Sequence, residues 1–168
     1  MVAEDGSDQP ETIARNAEIM ALSHCKHIVR EENVGRAVIR NDLANVASMP
    51  WLLFIDSDMR VVSPLFVERY LQTADEWSVV YGGNTTNGGA WNDERLLKVR
   101  YEQAAERHFT PQQRAKRPNQ NLNTSNILVS KRVMQAVPFD SRFLTYGYED
   151  VFWGMSLAQK GIEVVHID

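Results

Sequence analysis

The chain has 168 residues, of which 43% are apolar and 24% are charged, and its formal net charge at pH 7 is -4. This composition is ordinary for a soluble globular protein, and the length suits one domain with one core. The mildly acidic charge gives no electrostatic reason to expect nucleic acid as a partner, and no apolar run approaches the ~20 residues of a membrane-spanning helix. The only cysteine is Cys25 and no signal segment opens the sequence, so we expect a cytoplasmic protein without an internal disulfide.

The first part of the chain alternates short apolar runs with amphipathic stretches. Residues 2–4 are predicted to end a strand, and a helix then begins at Pro10 and presents on one face Ile13, Ala17, Met20 and His24. A strand over residues 26–30, a turn at 33–35 and a second helix through Ile39, Leu43 and Val46 follow. Residues 51–55 are apolar at every position, so we expect a strand that is covered on both faces, as in the centre of a parallel sheet.

The same alternation continues to the end of the chain. We expect a helix opened by Ser63-Pro64, a strand over residues 78–81, a glycine-rich loop over 82–89, and a helix over 93–109 in which Glu94 pairs with Lys98. Residues 110–120 are polar, basic and bounded by prolines, which predicts a mobile surface loop. A strand at 127–129, a helix over 149–160 and a strand over 163–167 complete the pattern. Strands separated by helices predict a single α/β domain over residues 1–168, with a mostly parallel, Rossmann-like sheet flanked by helices.

Two aspartates follow the apolar strand 51–55 directly, in the motif Asp56-Ser57-Asp58. Open α/β sheets bind ligands beyond the carboxyl ends of their strands, and residues two apart in extended chain point to the same side. Converging carboxylates repel each other unless a cation lies between them, and Mg²⁺ or Mn²⁺ prefers oxygen ligands. We therefore expect Asp56 and Asp58 to hold a divalent ion. The alternative on local sequence alone is that Asp56 caps a turn and Asp58 is solvated.

A second acidic pair, Glu149-Asp150, follows Tyr146-Gly147-Tyr148 and begins a predicted helix. One of the two carboxylates is a candidate general base that takes the proton from an acceptor hydroxyl. The alternative is structural, because unpaired amides and the positive end of the helix dipole favour carboxylates in a first turn. The neighbouring aromatic residues Tyr146, Tyr148 and Trp153 offer flat faces for stacking on a sugar ring.

Several segments together resemble family 2 glycosyltransferases, which are inverting enzymes of the GT-A fold. The matching segments are Glu4-Asp5-Gly6-Ser7, Asn33-Val34-Gly35 with Arg40-Asn41, Asp56-Ser57-Asp58, Asn123-Thr124-Ser125-Asn126, and Gly147-Tyr148-Glu149-Asp150. Their order and spacing are more specific than any one motif, and the resemblance covers nearly the whole chain. Ile39 departs from the family pattern, which has a small residue before the arginine.

The resemblance implies transfer of a sugar from a nucleoside diphosphate donor, in our interpretation a UDP-linked one, to the hydroxyl of a glycan or other acceptor, with inversion. Each of the candidate residues then has an implied role. Asp5 contacts the base or ribose, and Arg40 and Asn41 support the nucleotide pocket. Asn126 lies on the donor-site strand, and Asp56 and Asp58 hold the ribose and Mn²⁺ or Mg²⁺. Asp150 is the base, and Glu149 orients the acceptor or its partner. A histidine beyond the last strand completes the metal site in some members, but His166 lies on the strand itself and is not given that role.

Family members begin with an earlier strand and continue beyond the segment that ends at residue 168, so we expect an internal fragment whose missing edge strand favours association. Two other interpretations stay open: a non-catalytic module that binds nucleotide-sugar and metal, and a nucleotidyltransferase on a related sheet. The latter usually needs a glycine-rich, basic phosphate loop, which is not seen here.

The basic run Arg114-Ala115-Lys116-Arg117 is interpreted as a solvated loop, with steering of a diphosphate or peripheral contact with an anionic membrane surface as the alternative.

Overall fold

A computed structural model describes residues 1–86 and 97–168 of the chain. These residues divide into two compact units, the first consisting of residues 1–48 and 138–149, the second of residues 49–137 and 150–168. The predicted start of a helix at residue 93 and the predicted pair of Glu94 with Lys98 lie outside the described residues.

The first unit is built on a two-stranded parallel sheet. Strand β1 (Val2–Asp5) pairs with strand β2 (His27–Arg30), and the chain between them forms helix α1 (Pro10–Ala17) and a 3-10 helix (Glu18–Ala21). Helix α2 (Arg36–Val46) follows, and its buried residues are Ala37, Arg40 and Ala44. The strands expected at residues 2–4 and 26–30 and the helix starting at Pro10 are therefore confirmed.

The helical stripe predicted from Ile13 to His24 is wrong in its second half. Helix α1 ends at Ala17, and Met20 is 61% exposed. His24 has φ 64°, a left-handed conformation that does not belong to a right-handed helix. A 3-10 helix has fewer residues per turn than an α-helix, so a spacing of 3.6 residues no longer keeps Met20 and His24 on one face.

The second unit contains a four-stranded sheet of mixed direction. Its strands lie in the order β3-β5-β4-β6, with β5 antiparallel to both neighbours and β4 parallel to β6. The strands are β3 (Trp51–Ile55), β4 (Val79–Tyr81), β5 (Asn126–Ser130) and β6 (Val165–His166). The helices are α3 (Phe66–Leu71), α4 (Leu97–His108), α5 (Pro111–Arg114), α6 (Lys131–Ala136) and α7 (Glu149–Gln159), whose first residue still belongs to the first unit.

The core of the second unit forms around β4 and β5, whose residues are all buried. Helix α7 contributes Trp153, which is 1% exposed and donates its indole N–H to the carbonyl of Val137 at 2.8 Å. A Cβ on Gly154 would lie 2.0 Å from the carbonyl oxygen of Asn119, so α7 approaches that loop at a distance that only glycine permits. None of the helices in the two described ranges is long and apolar enough to cross a membrane.

The α/β class is confirmed, but the expectation of one mostly parallel sheet is wrong, because the described sheets are small and mixed. Strand β3 lies at the end of its sheet and is antiparallel to β5, and Trp51 and Ile55 are 38% and 41% exposed instead of covered. A uniformly apolar run indicates a strand with a preference for burial. It does not specify the strand's neighbours or their direction, which depend on residues distant in sequence.

Candidate functional site

Asp5, at the end of β1, is held by the loop that precedes α2. Its Oδ1 accepts a hydrogen bond from the N–H of Val34 at 2.9 Å and its Oδ2 one from the N–H of Gly35 at 3.0 Å, while Asn33 Nδ2 donates to the Asp5 carbonyl at 2.9 Å. Gly6 has φ 70°, and a Cβ there would lie 2.3 Å from the backbone nitrogen of Asn33. The carboxylate thus fastens β1 to the start of α2, and its contact with a nucleotide stays a prediction.

The neighbouring Glu4 is a buried carboxylate with no separately predicted role. It accepts hydrogen bonds from Asn16 Nδ2 at 2.6 Å and Ser7 Oγ at 2.7 Å, and its Oε1 lies 3.3 Å from Nε2 of His27. The hydrogen bonds from Asn16 and Ser7, together with His27, hold the pKa of Glu4 below its ordinary value despite burial. Glu4 therefore joins β1, α1 and β2, and no local sequence signal marks it because its partners are spread over two other elements.

Asn41 attaches the segment 138–149 to helix α2. Its Nδ2 donates to the carbonyl of Phe139 at 2.8 Å, and its Oδ1 accepts the N–H of the same residue at 3.0 Å. The side-chain amide therefore pairs with Phe139 as a backbone strand neighbour would. The adjacent Arg40 is 5% exposed, and its guanidinium lies 5.6 Å from the Phe139 ring centroid.

Glu149 is 5% exposed, and both of its carboxylate oxygens face protein groups of the first unit. Oε1 lies 3.2 Å from Nε of Arg36 and 3.6 Å from Nη1 of Arg40, and Oε2 accepts the N–H of Gly147 at 3.1 Å. The Arg36 guanidinium in turn lies 5.0 Å from the ring centroid of Tyr146. The predicted residues Arg40 and Glu149 are thus in contact with each other.

One edge of the four-stranded sheet collects the candidate residues of the second unit. Strands β3, β4 and β6 end at this edge and β5 begins there, as their pairing directions require. Asp56 follows β3, and its N–H donates to the Ser125 carbonyl at 2.9 Å. Asn126 is the first residue of β5 and lies opposite Ile55. The structure therefore brings Asp56 and Asn126 to the same edge.

The Asp56-Ser57-Asp58 motif forms a turn, closed by a hydrogen bond from the Met59 N–H to the Asp56 carbonyl at 3.0 Å. The expectation that extended chain aligns the two carboxylates is wrong, because the chain bends at this point. Asp56 is half-buried and Asp58 is exposed.

Within residues 1–86 and 97–168, no group of three or more His, Cys, Asp or Glu side chains could hold a metal ion. Two carboxylate side chains nonetheless fit Mg²⁺ or Mn²⁺ chemically, because Mg²⁺ commonly takes one or two carboxylates and fills its other positions with substrate phosphate and water.

The Asn126 side chain is used within the sheet edge. Its Oδ1 accepts the hydroxyl of Tyr70 at 2.6 Å and its Nδ2 donates to the carbonyl of Gly83 at 2.8 Å. Burial raises the pKa of Tyr70, so this hydroxyl keeps its proton and remains a donor. Asn126 thus orders the chain after β4, and its contact with a donor stays a prediction.

Asp150 lies in the first turn of α7, where it is half-buried. Its Oδ1 accepts the N–H of Val151 at 2.8 Å. It is close enough to Tyr81 that its negative charge helps to raise the pKa of that phenol, although burial is the larger cause. Tyr81 is the last residue of β4, so the charge of Asp150 acts on the edge at which Asp56 and Asn126 lie.

The loop predicted over residues 110–120 is wrong for Pro111–Arg114, which form helix α5 capped by Thr110, and Arg114 is 7% exposed. Arg114 donates from Nε to His166 Nδ1 at 3.2 Å, and from Nη2 to the carbonyl of Ile167 at 2.7 Å. The other ring nitrogen of His166 lies 3.0 Å from the carbonyl oxygen of Pro118. Both ring nitrogens of His166 thus have protein partners. The solvated-loop interpretation is wrong for Arg114, which is buried and donates to the carbonyl of the distant Ile167, while Lys116 and Arg117 are exposed.

Comparison with known proteins adds one finding on the family. Residues 1–137 match the family described as glycosyl transferase family 2. A search of curated proteins finds no match. The matched range contains Asp5, Arg40-Asn41, Asp56-Ser57-Asp58 and Asn126, whereas Glu149-Asp150 lies outside it. Because the match covers most of the sequence, the chain belongs to glycosyl transferase family 2, whose members adopt the GT-A fold and transfer sugars from nucleotide-sugar donors.

Proposed function

We propose that this chain transfers a sugar from a nucleoside diphosphate donor, UDP-linked, to an acceptor hydroxyl with inversion at the anomeric carbon. The observation that carries the proposal is that Asp56 and Asn126 lie at one edge of the four-stranded sheet, and the charge of Asp150 acts on Tyr81 at the end of β4. Ligands of α/β sheets bind beyond strand ends of this kind. Residues 1–168 act in this proposal as part of one catalytic domain.

The donor side of the reaction is assigned to the carboxylates after β3. Asp56 and Asp58 would hold the ribose and a Mn²⁺ or Mg²⁺ ion, which when bound supplies a positive charge for the departing diphosphate. Exposure of Asp58 leaves its oxygens accessible to such an ion. In the first unit, Asp5, Arg40 and Asn41 are the candidates for nucleotide contact.

The acceptor side is assigned to Asp150. The acceptor oxygen attacks the anomeric carbon from the face opposite the diphosphate, the bond to the diphosphate breaks, and Asp150 takes the proton that the hydroxyl loses. One displacement of this kind inverts the configuration. We place the reaction in the cytoplasm with a glycan acceptor, and the exposed Lys116 and Arg117 support peripheral contact with an anionic membrane surface.

The test is release of nucleoside diphosphate from UDP-linked sugars, with Mn²⁺ or with a chelator, and with or without glycan acceptors. We expect release that requires Mn²⁺, increases with acceptor and yields a product of inverted configuration by NMR. Binding of UDP without any release would favour the non-catalytic module. Release of pyrophosphate from a nucleoside triphosphate would favour the nucleotidyltransferase, and either result would contradict the proposal.

A further inference from the structure

Glu149 contacts so many protein groups that a direct role in touching substrate is hard to reconcile with its position. It is 5% exposed, and its two oxygens face Arg36, Arg40 and the Gly147 N–H. A buried carboxylate needs such partners, because an uncompensated charge in the interior is strongly destabilising. Its negative charge in turn compensates Arg40, which is also 5% exposed.

The contacts of Glu149 lead to an exposed aromatic ring. Arg36 pairs with Glu149 through Nε and places its guanidinium 5.0 Å from the centroid of Tyr146, whose side chain is 83% exposed. A cation over one face fixes the orientation of the ring and leaves the other face to solvent. Glu149 holds Arg36, and Arg36 in turn holds the Tyr146 ring. The Tyr146 side chain therefore loses less conformational entropy when a ligand packs against its ring.

The segment around Tyr146 has the features of a binding surface. Leu144 and Tyr148 are 69% and 78% exposed, which is unusual for large apolar side chains that are neighbours in sequence. Tyr148 has φ 67°, a left-handed conformation that is costly for an aromatic residue and that concentrates at functional sites. Gly147, with φ 117°, precedes it, and its N–H is fixed by Glu149.

We propose that Glu149 is a positioning residue, which acts through Arg36 to hold Tyr146 as a platform for a sugar ring of the acceptor. This proposal rests on the proposed transferase function. A pyranose ring has a face of C–H groups that packs on an aromatic ring, while its hydroxyls stay solvated.

The first measurement is steady-state kinetics with a sugar acceptor. We expect Tyr146→Ala to raise the acceptor KM about three- to tenfold, with kcat and donor KM within about twofold, while Tyr146→Phe stays near wild type. Arg36→Met should raise the acceptor KM as well, but should add little in the Tyr146→Ala background, because the two residues act together. Arg142→Met, an exposed arginine of the same segment, is the matched control and should change nothing.

Glu149→Gln keeps the shape of the side chain and an acceptor for the Gly147 N–H but removes the charge on which Arg36 depends. We expect a higher acceptor KM, with kcat reduced by less than about tenfold. A loss of ~10²–10⁴ in kcat at unchanged acceptor KM would make Glu149 a catalytic residue and overturn the proposal. If this variant does not fold, the Arg36 and Tyr146 variants decide the question.

Binding of methyl glucoside, methyl galactoside and methyl N-acetylglucosaminide, measured by saturation-transfer NMR without donor, separates this proposal from the proposed function. Glycoside binding that Tyr146→Ala weakens, in a protein that turns over no donor, would support the platform and contradict the transferase. Donor turnover with glycoside binding that Tyr146→Ala leaves unchanged would overturn the platform alone. Absence of glycoside binding to the wild-type protein would also overturn it.

Discussion

The carboxylates named above in the two units differ in what their oxygens contact. In the first unit, Glu4, Asp5 and Glu149 each accept hydrogen bonds from, or form ion pairs with, protein groups that belong to other segments. In the second unit, Asp58 is exposed, and Asp150 accepts the N–H of the residue that follows it. A carboxylate whose oxygens already have protein partners stabilises the fold, whereas an exposed one keeps its oxygens for a ligand.

The same difference in contacts distinguishes two residues that are adjacent in one motif. Glu149 and Asp150 are neighbours in one acidic pair, yet one is an interior ion-pair partner and the other is half-buried at the start of α7. The contacts of each side chain, not the motif, therefore indicate which substitutions should affect turnover and which should affect stability.

The largest expected effect is on turnover by Asp150→Asn. If Asp150 is the general base, kcat should fall by ~10²–10⁴ because the amide cannot take the acceptor proton, while donor affinity is kept. Steady-state transfer rates at saturating donor, with calorimetry of UDP binding, measure the two quantities. Glu163→Gln is a control at another acidic residue of the second unit. Undiminished turnover of Asp150→Asn would remove it from the role.

The next effect concerns Asp58. Replacement by alanine removes a carboxylate that is proposed to bind the divalent ion, so Mn²⁺-dependent UDP affinity should fall at least about tenfold with little change in Tm. Calorimetry with Mn²⁺ and with a chelator checks this expectation. Chelator should bring the wild-type affinity close to that of the variant, and a variant that binds UDP as tightly as wild type in Mn²⁺ would count against Asp58 as a metal ligand.

Asp5→Asn tests the structural side of the comparison. The amide offers one acceptor oxygen to the two backbone N–H groups of Val34 and Gly35, so the free energy of unfolding should fall by about 1–3 kcal/mol in urea titrations. Asp8→Asn, at an exposed neighbouring aspartate, should be neutral. Unchanged stability with strongly weakened UDP binding would assign Asp5 to the nucleotide instead.

The smallest expected effect is a pH dependence at His166. Burial, aided by the nearby charge of Arg114, lowers the pKa of His166 below 6.5, so between the folded and unfolded values the unfolded chain binds more protons. Stability should therefore decline as the pH falls below about 6.5 and recover as it rises. His166→Gln should flatten this slope in urea titrations from pH 7.5 to 5, and His108→Gln, an exposed histidine, should leave it unchanged.

The sequence predicts the type of most elements because their signals are local. The uniformly apolar run at 51–55 and the proline at position 10 each mark an element that the structure contains. What could not be predicted depends on distant partners. Strand β3 lies at the edge of its sheet, where its only described neighbour is β5. Arg114 is buried where its guanidinium donates to the carbonyl of Ile167, which is distant in sequence.

The same distinction applies to the candidate site. Asp56 and Asn126 were predicted from motif order, and the structure brings them to one sheet edge. The partners of Glu149 could not be predicted, because nothing near residue 149 indicates that two arginines of α2 would face it. Long-range ion pairs of this kind leave no periodic signal in the sequence.

The attachment of Phe139 to Asn41 has a consequence for synthesis on the ribosome. Residues 1–48 emerge first, but the segment 138–149 that completes their unit follows only after the intervening residues 49–137. At ~5–20 residues per second, roughly 5 to 20 seconds separate the two events. During that interval the nascent first unit lacks Phe139 and Glu149 and is exposed to chaperones and proteases. A polypeptide ending at residue 137 would stay permanently in that state, although it would contain the entire matched range.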